Sequence, residues 1–180
     1  MNIANKITIL RILMVPIFLI FMLVEFPYHM EAAVTVFIAA SLTDKLDGYI
    51  ARKYNMITDF GKFMDPLADK LLVTGAFLVL IQFGRIEAWI VFIILAREFA
   101  VTGLRTLAAA QNVIIAASKY GKIKTVTQIV AIVILLLDNY PFSLVNVPMD
   151  IIMVYAALIS TVLSGIDYFN KNIQVISKIK

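Results

Sequence analysis

Between Ser41 and Leu72 the chain reads SLTDKLDGYIARKYNMITDFGKFMDPLADKLL, five aspartates set between apolar runs. On helices their spacing is informative. Asp44 and Asp47 are three apart and share a face, with Gly48 and Ala51 close to it. Asp65 and Asp69 are four apart, one turn above the other, and Gly61 lies one turn earlier. Two helices joined by a basic segment would therefore aim four carboxylates into one space. An aspartate costs about 2.5–3.5 kcal/mol at the centre of a membrane helix, and less nearer the interface. Mutual repulsion adds to that cost. One or two divalent cations remove both problems, and oxygen-only donors select Mg²⁺ or Mn²⁺ over zinc. Two such ions about 3.5–4 Å apart are the usual clamp for phosphoryl displacement. Gly48 and Ala51 leave a shelf for a ligand or a close helix neighbour. Arg52, a fixed cation beside the acids, suits a pyrophosphate. Asp59 reads as a helix N-cap, and Pro66 suits the first turn of a helix, where its missing N–H costs little.

The elements that must hold these residues are apolar. Of 180 residues 62% are hydrophobic and 16% charged, and the mean hydropathy is +0.93. A soluble domain runs near half apolar and a quarter charged, so the composition places the chain in a membrane. Six apolar segments can be drawn, near Ile7–Val24, Ala32–Tyr49, Gly61 or Lys62 to Ile81, Glu87–Leu107, Ile123–Leu137 and Met149–Phe169. Pro16 is a candidate kink; Pro27, Gly84 and DNYPF punctuate three connections. Helices are expected throughout, because the runs lack the alternation of barrel strands. The fold class is thus an all-α integral membrane protein with six transmembrane helices in a single domain over 1–180. The N-terminal apolar run carries no small-residue cleavage site and reads as a retained first helix.

Charge gives orientation. Lys6, Arg11, Arg52, Lys53, Lys62, Arg105, Lys119, Lys122, Lys124, Lys171, Lys178 and Lys180 fall at the termini and at the second-to-third and fourth-to-fifth connections. The opposite loops hold Glu25, Glu31, Glu87, Asp138 and Asp150, with Arg85. The positive-inside rule puts both termini and the aspartates at the cytoplasmic side. A net charge of +4 then reports orientation and attraction to anionic lipid, and no nucleic-acid partner is expected. With no cysteine in the chain, disulfides and thiolate metal sites are excluded. His29, in EFPYHME, reads as a loop residue at the headgroup level; Trp89 and Tyr140 read as anchors at the outer interface.

A second, cationic constellation lies around the cytoplasmic ends of spans four and five: Arg105, Lys119, Lys122 and Lys124. Ordinary topology explains lysines there. Arg97 is harder to dismiss, since an arginine inside an apolar run faces a cavity or a partner. A buried structural contact with Glu98 or with an aspartate is the alternative for Arg97, although adjacent residues face apart on a helix, so Glu98 need not neutralise it. These residues point to an anionic second substrate. NKIT near residue 5 reads as an N-terminal cap of the first helix.

Read as spacing, Asp44-x-x-Asp47-Gly48-x-x-Ala51-Arg52, eight residues, then Gly61-x-x-x-Asp65-x-x-x-Asp69 resembles the signature of the CDP-alcohol phosphotransferase family at all eight positions. The resemblance implies roles. Asp44, Asp47 and Asp65 would hold metal, Mg²⁺ or Mn²⁺ and two ions, and through it the CDP pyrophosphate. Asp69 would complete the site and act as base toward the attacking hydroxyl. Gly48, Ala51 and Arg52 would line the nucleotide, and Gly61 would let cytidine approach the third helix. The strings NKITILRI, DPLADKLL, REFAVTGLR and GKIKT are similar to family members that join CDP-diacylglycerol to glycerol 3-phosphate. That likeness implies a phosphate pocket at Arg97, Arg105, Lys122 and Lys124. It also implies a homodimer in the plasma membrane of a bacterium, acting on membrane lipid from the cytoplasmic face. Phosphatidylglycerol, serine or inositol remain open as acceptors.

Two other classes compete. An aromatic prenyltransferase also holds a diphosphate through metal, but it needs eight or nine spans and two separated acidic motifs. A small cation channel or transporter could line a pore with aspartates. Here, however, the acids cluster near one membrane face, with no acidic relay through spans four to six.

Overall fold

A computed structural model of the chain describes residues 3–53, 59–110, 113, 115 and 118–178, with side chains over 5–43, 64, 67–109, 113, 115 and 118–173. Among the described residues there are six α-helices, one short 3₁₀ turn (Phe142–Val145) and no strand. The helices are α1 (Ile3–Leu23), α2 (His29–Lys53), α3 (Asp59–Gln82), α4 (Ala88–Ala110), α5 (Lys119–Leu136) and α6 (Met149–Lys178). The expected helices are all present, and most run beyond their apolar windows. Charged residues at the ends stay helical, because helix formation there needs only backbone bonds and water. Two helices among the described residues are long and apolar enough to cross a bilayer by length and composition: Asn5–Leu23, with mean hydropathy 2.3, and Met149–Ile173, with 1.9. The remaining helices pair an apolar portion with charges near one end or, in α4, within the run.

The chain divides into two compact units. The first comprises Met1–Arg85 with Leu135–Leu137. In it α1 packs along α2 and α3, and α2 meets α3. The buried positions of α1 are Asn5, Thr8, Arg11, Val15, Phe18 and Met22, a stripe at helical period. Buried on the neighbouring helices are Ala33, Phe37 and Ala40 of α2, and Ala68, Leu72, Ala76 and Phe77 of α3. Phe18 and Phe37 meet with ring centroids 5.7 Å apart. Gly75 brings α3 close to α1, for a Cβ there would lie 3.5 Å from Leu19 Cδ2 and 3.8 Å from Val15 Cγ1. The opposite face of α1 exposes Leu10, Leu13, Ile17 and Ile20. Exposed apolar surface of that extent suits lipid rather than water.

Several local expectations change. His29 is the first residue of α2 rather than a loop residue, and its Nδ1 lies 3.0 Å from the carbonyl of Phe21. It thus satisfies one of the last carbonyls of α1. Asn5 is not a cap: α1 begins at Ile3, and Asn5 is buried inside it. Pro66 lies two turns into α3, not in its first turn, so it supplies no N–H to the carbonyl four residues earlier. Helix α1 runs unbroken through Pro16. Asp59 does open α3. Arg85 closes this unit by donating from Nη1 to the carbonyls of Leu135 and Leu136, at 2.6 and 3.2 Å.

The second unit comprises Ile86–Ile134 and Asp138–Lys180. Helix α4 packs on α6, and Val101, Leu104 and Tyr168 form a buried cluster with Ile115 against it. Polar pairs tie α5 to α6 inside an apolar setting. Gln128 Nε2 donates to Thr161 Oγ1 at 3.0 Å, and the Thr127 and Ser160 hydroxyls are 2.7 Å apart. Such pairs hold helices together where lipid offers no hydrophobic drive. Asn139 joins the start of α6 to its preceding loop, donating to Val147 O at 2.8 Å and accepting from Asp150 N at 3.2 Å. Trp89 and Tyr140 are exposed, as interface anchors would be, and Trp89 Nε1 donates to Glu87.

Candidate functional site

In the first unit the acidic motif lies on two adjacent helices. Asp44, Asp47, Gly48, Ala51 and Arg52 lie on α2. Gly61, Asp65 and Asp69 lie on α3, its neighbour. The side chains of Asp44, Asp47, Arg52 and Asp65 lie outside the described ones, as do the surroundings of Gly48, Ala51 and Gly61. Asp69 is half-buried and engaged in a polar or electrostatic contact. Among the described side chains no group of three or more His, Cys, Asp or Glu gathers to hold a metal, and three of the four motif acids fall outside that set. The donor set itself fits a divalent ion. It offers carboxylate oxygens alone, at i,i+3 on one helix and i,i+4 on the adjacent one, which suits Mg²⁺ or Mn²⁺.

In the second unit the cationic constellation is organised around Glu98. Lys124 is buried, lies within α5, and pairs with Glu98 Oε1. Arg97 Nη1 is 3.5 Å from the same oxygen. Adjacent residues on a helix thus meet after all, because both side chains are long enough to curl toward one point. Arg97 Nη2 donates to Ser164 Oγ at 2.6 Å. Its Nε is buried with no hydrogen-bond partner among the described residues, as is the Tyr168 hydroxyl. Gly165 lets the backbone of α6 approach the arginine, for a Cβ there would lie 3.2 Å from Arg97 Cγ. Arg105, two turns along α4, donates from Nη2 to the carbonyl of Ile115 at 3.3 Å. Tyr168 lies within electrostatic reach of both arginines. Lys122 is exposed.

The four basic residues singled out from sequence therefore separate. Lys124 is paired with Glu98. Arg97 and Arg105 keep N–H groups to spare from a fork of five donors. Among the described side chains, Glu98 is the carboxylate shared by Arg97 and Lys124.

The model of the CDP-alcohol phosphatidyltransferase family matches residues 1–163. The chain belongs to that family. Named relatives agree. The CDP-diacylglycerol–glycerol-3-phosphate 3-phosphatidyltransferase of Bacillus subtilis is 48% identical over 184 aligned positions, covering 95% of each chain. A probable phosphatidylglycerophosphate synthase of Mycobacterium tuberculosis is 39% identical, covering 99% of this chain and 85% of its own. The CDP-diacylglycerol–glycerol-3-phosphate 3-phosphatidyltransferase of Rickettsia typhi is 37% identical, covering 93% and 95%. A family match through residue 163 takes in α1 to α5 whole and the first half of α6.

Within this CDP-alcohol phosphatidyltransferase chain, sequence reasoning overlooked three groups. Ser164 and Tyr168 surround Arg97 from α6, and their distance along the chain hid them. The sequence offers Glu98 as a partner of Arg97, which the structure shows, but not as the partner of Lys124. Asn5, Thr8 and Arg11 form a buried polar stripe on α1; their i, i+3, i+6 spacing in an apolar helix was the available signal.

Proposed function

We propose that this chain transfers the phosphatidyl group of CDP-diacylglycerol to glycerol 3-phosphate, giving phosphatidylglycerophosphate and CMP. The observation that carries this reading is the 48% identity, over 95% of each chain, with a relative that bears that activity in its name. The acyl chains of the donor lie in the bilayer and its headgroup at the motif on α2 and α3. Asp44, Asp47, Asp65 and Asp69 hold Mg²⁺ or Mn²⁺, two ions, which supply electrostatic stabilisation of the pyrophosphate when bound. Arg52 adds a fixed positive charge, and Gly48, Ala51 and Gly61 leave room for the nucleotide. Asp69 accepts the proton of a glycerol-phosphate hydroxyl. That oxygen forms a bond to the phosphorus bearing diacylglycerol as the bond to CMP breaks, in line. Arg97 and Arg105 hold the phosphate of the acceptor. The Nε of Arg97, buried and without a hydrogen-bond partner among the described residues, supports that assignment.

The same reading makes the protein a six-span membrane enzyme of the bacterial plasma membrane. Both termini and the acidic motif are cytoplasmic, one domain covers 1–180, and two copies associate. The asymmetry of loop charge supports the orientation. Purified protein in nanodiscs, given CDP-diacylglycerol and Mg²⁺ or Mn²⁺ with each candidate alcohol in turn, tests the function. CMP release and phosphatidylglycerophosphate formation with glycerol 3-phosphate alone is expected. Turnover with serine, inositol or phosphatidylglycerol instead would move the acceptor assignment, and no CMP release with any alcohol would overturn the reading.

A further inference from the structure

Arg11 has 0% of its surface exposed, although it sits in one of the most apolar helices of the chain. An unpaired guanidinium in such a place is strongly destabilising, so a counter-ion is required. The acids of its unit are few. Glu25 and Glu31 are exposed near the α1–α2 turn, about 20 Å along the bundle from Arg11 by helix rise. The others, Asp44, Asp47, Asp59, Asp65 and Asp69, lie on the motif stretch.

Register narrows the choice. Each link joining these helices, 24–28 and 54–58, is five residues long. Such a link reaches about 20 Å at most, too short to run back along a helix of more than 30 Å. So α2 is antiparallel to both α1 and α3. The contact of Phe18 with Phe37 fixes the level of α1 against α2. Seven residues, two turns, from each of these rings lie Arg11 and Asp44, on the same two helix faces. By the same count Thr8, itself 1% exposed, is level with Asp47. The contact of Gly75 with Val15 and Leu19 fixes α3 and puts Asp69 at the level of Arg11. Arg11 is itself engaged in a polar or electrostatic contact.

We propose that Arg11 is a positioning residue for the metal-binding acids, the counter-ion of Asp44, and that the stripe Asn5, Thr8 and Arg11 forms a second layer behind the motif. As a fixed cation at the level of Asp44, Arg11 would keep that acid in place beside the divalent ion. Partners of this kind typically change metal affinity by about 10–100-fold when removed. The proposal rests on the reading of the motif as a metal site, and its test does not require turnover.

Full-length protein in detergent with EDTA is compared by Tm as wild type, Arg11→Met, Asp44→Asn and the double variant. Arg11→Met is expected to lower Tm by several degrees, and Asp44→Asn in that background to recover more than half of the loss. Strict additivity, or recovery by Asp69→Asn but not by Asp44→Asn, would overturn the pairing. Mn²⁺ affinity without substrate is the second readout. Arg11→Met should weaken it about tenfold and Arg11→Lys should restore most of it. Unchanged affinity in folded Arg11→Met protein would make the residue merely structural and overturn the proposal. Should Arg11→Met not fold, Arg11→Lys alone decides. Affinity within a factor of two to tenfold of wild type fits a retained cation, and complete loss of Mn²⁺ binding contradicts it. Wild type that binds Mn²⁺ and shows the Tm coupling, yet turns over no CDP-diacylglycerol, would fail the proposed function and leave this inference standing.

Discussion

The two units of the chain solve opposite electrostatic problems. The first gathers like charges: four aspartates within 26 residues on two adjacent helices, compensated in our proposal by bound cations and by Arg11. The second gathers mixed charges and compensates them internally, with Glu98 shared by Arg97 and Lys124 and with Ser164 holding the arginine. On the proposed reading the first site is completed by an exogenous metal, whereas the second is assembled from side chains. Perturbing a residue of the first should therefore remove chemistry, whereas perturbing one of the second should change stability or acceptor affinity.

The largest effect belongs to the acids. Asp69→Asn should lower turnover by about 10²–10⁴-fold, the usual contribution of a general base, while the protein still inserts and purifies in normal yield. Near-wild-type turnover would erase the distinction between the units. The next concerns internal compensation. Glu98→Gln removes the carboxylate paired with Lys124, whose side chain is 10% exposed, and should cost about 3 kcal/mol of stability. Adding Lys124→Met should return most of the lost Tm, and failure to do so would show that the pair is not the organising contact. Smaller again, Arg97→Met should raise KM for glycerol 3-phosphate by about 10–100-fold, the range of a hydrogen bond to a charged group. KM for CDP-diacylglycerol should hold, so equal changes in both constants would place Arg97 outside the acceptor site. Smallest is Gly165→Ala. Helix propensity favours alanine by about 1 kcal/mol, but the new Cβ meets Arg97 Cγ at 3.2 Å. We expect a Tm equal to or slightly above wild type, with a rise of about threefold in acceptor KM as the arginine shifts.

The same contrast governs what could be read before folding. The acidic motif is local, and its i,i+3 and i,i+4 spacings already specify two helix faces, so α2 and α3 carry it where expected. The cationic cluster is assembled across long separations. Arg97 and Ser164 are 67 residues apart and Glu98 and Lys124 are 26 apart, and no spacing rule links them. The apolar windows located the helices but not their ends, because a charged terminus continues a helix as readily as an apolar one. Arg11 and Lys124 were counted with the loop charges that set orientation, yet both are buried inside helices. A charge count registers sign and position along the chain, and burial depends on which face the helix turns inward. His29 reads as an isolated polar residue until the α1–α2 turn brings it back to the carbonyl of Phe21.

The central claim is that the aspartates on α2 and α3 converge on divalent ions. Electron paramagnetic resonance of Mn²⁺ titrated into the purified protein with CDP tests it most directly. Two bound ions with the spin coupling of a pair about 4 Å apart are predicted in the wild type, and that pair should be lost in both Asp44→Asn and Asp69→Asn. Wild-type Mn²⁺ spectra in both variants would contradict the account.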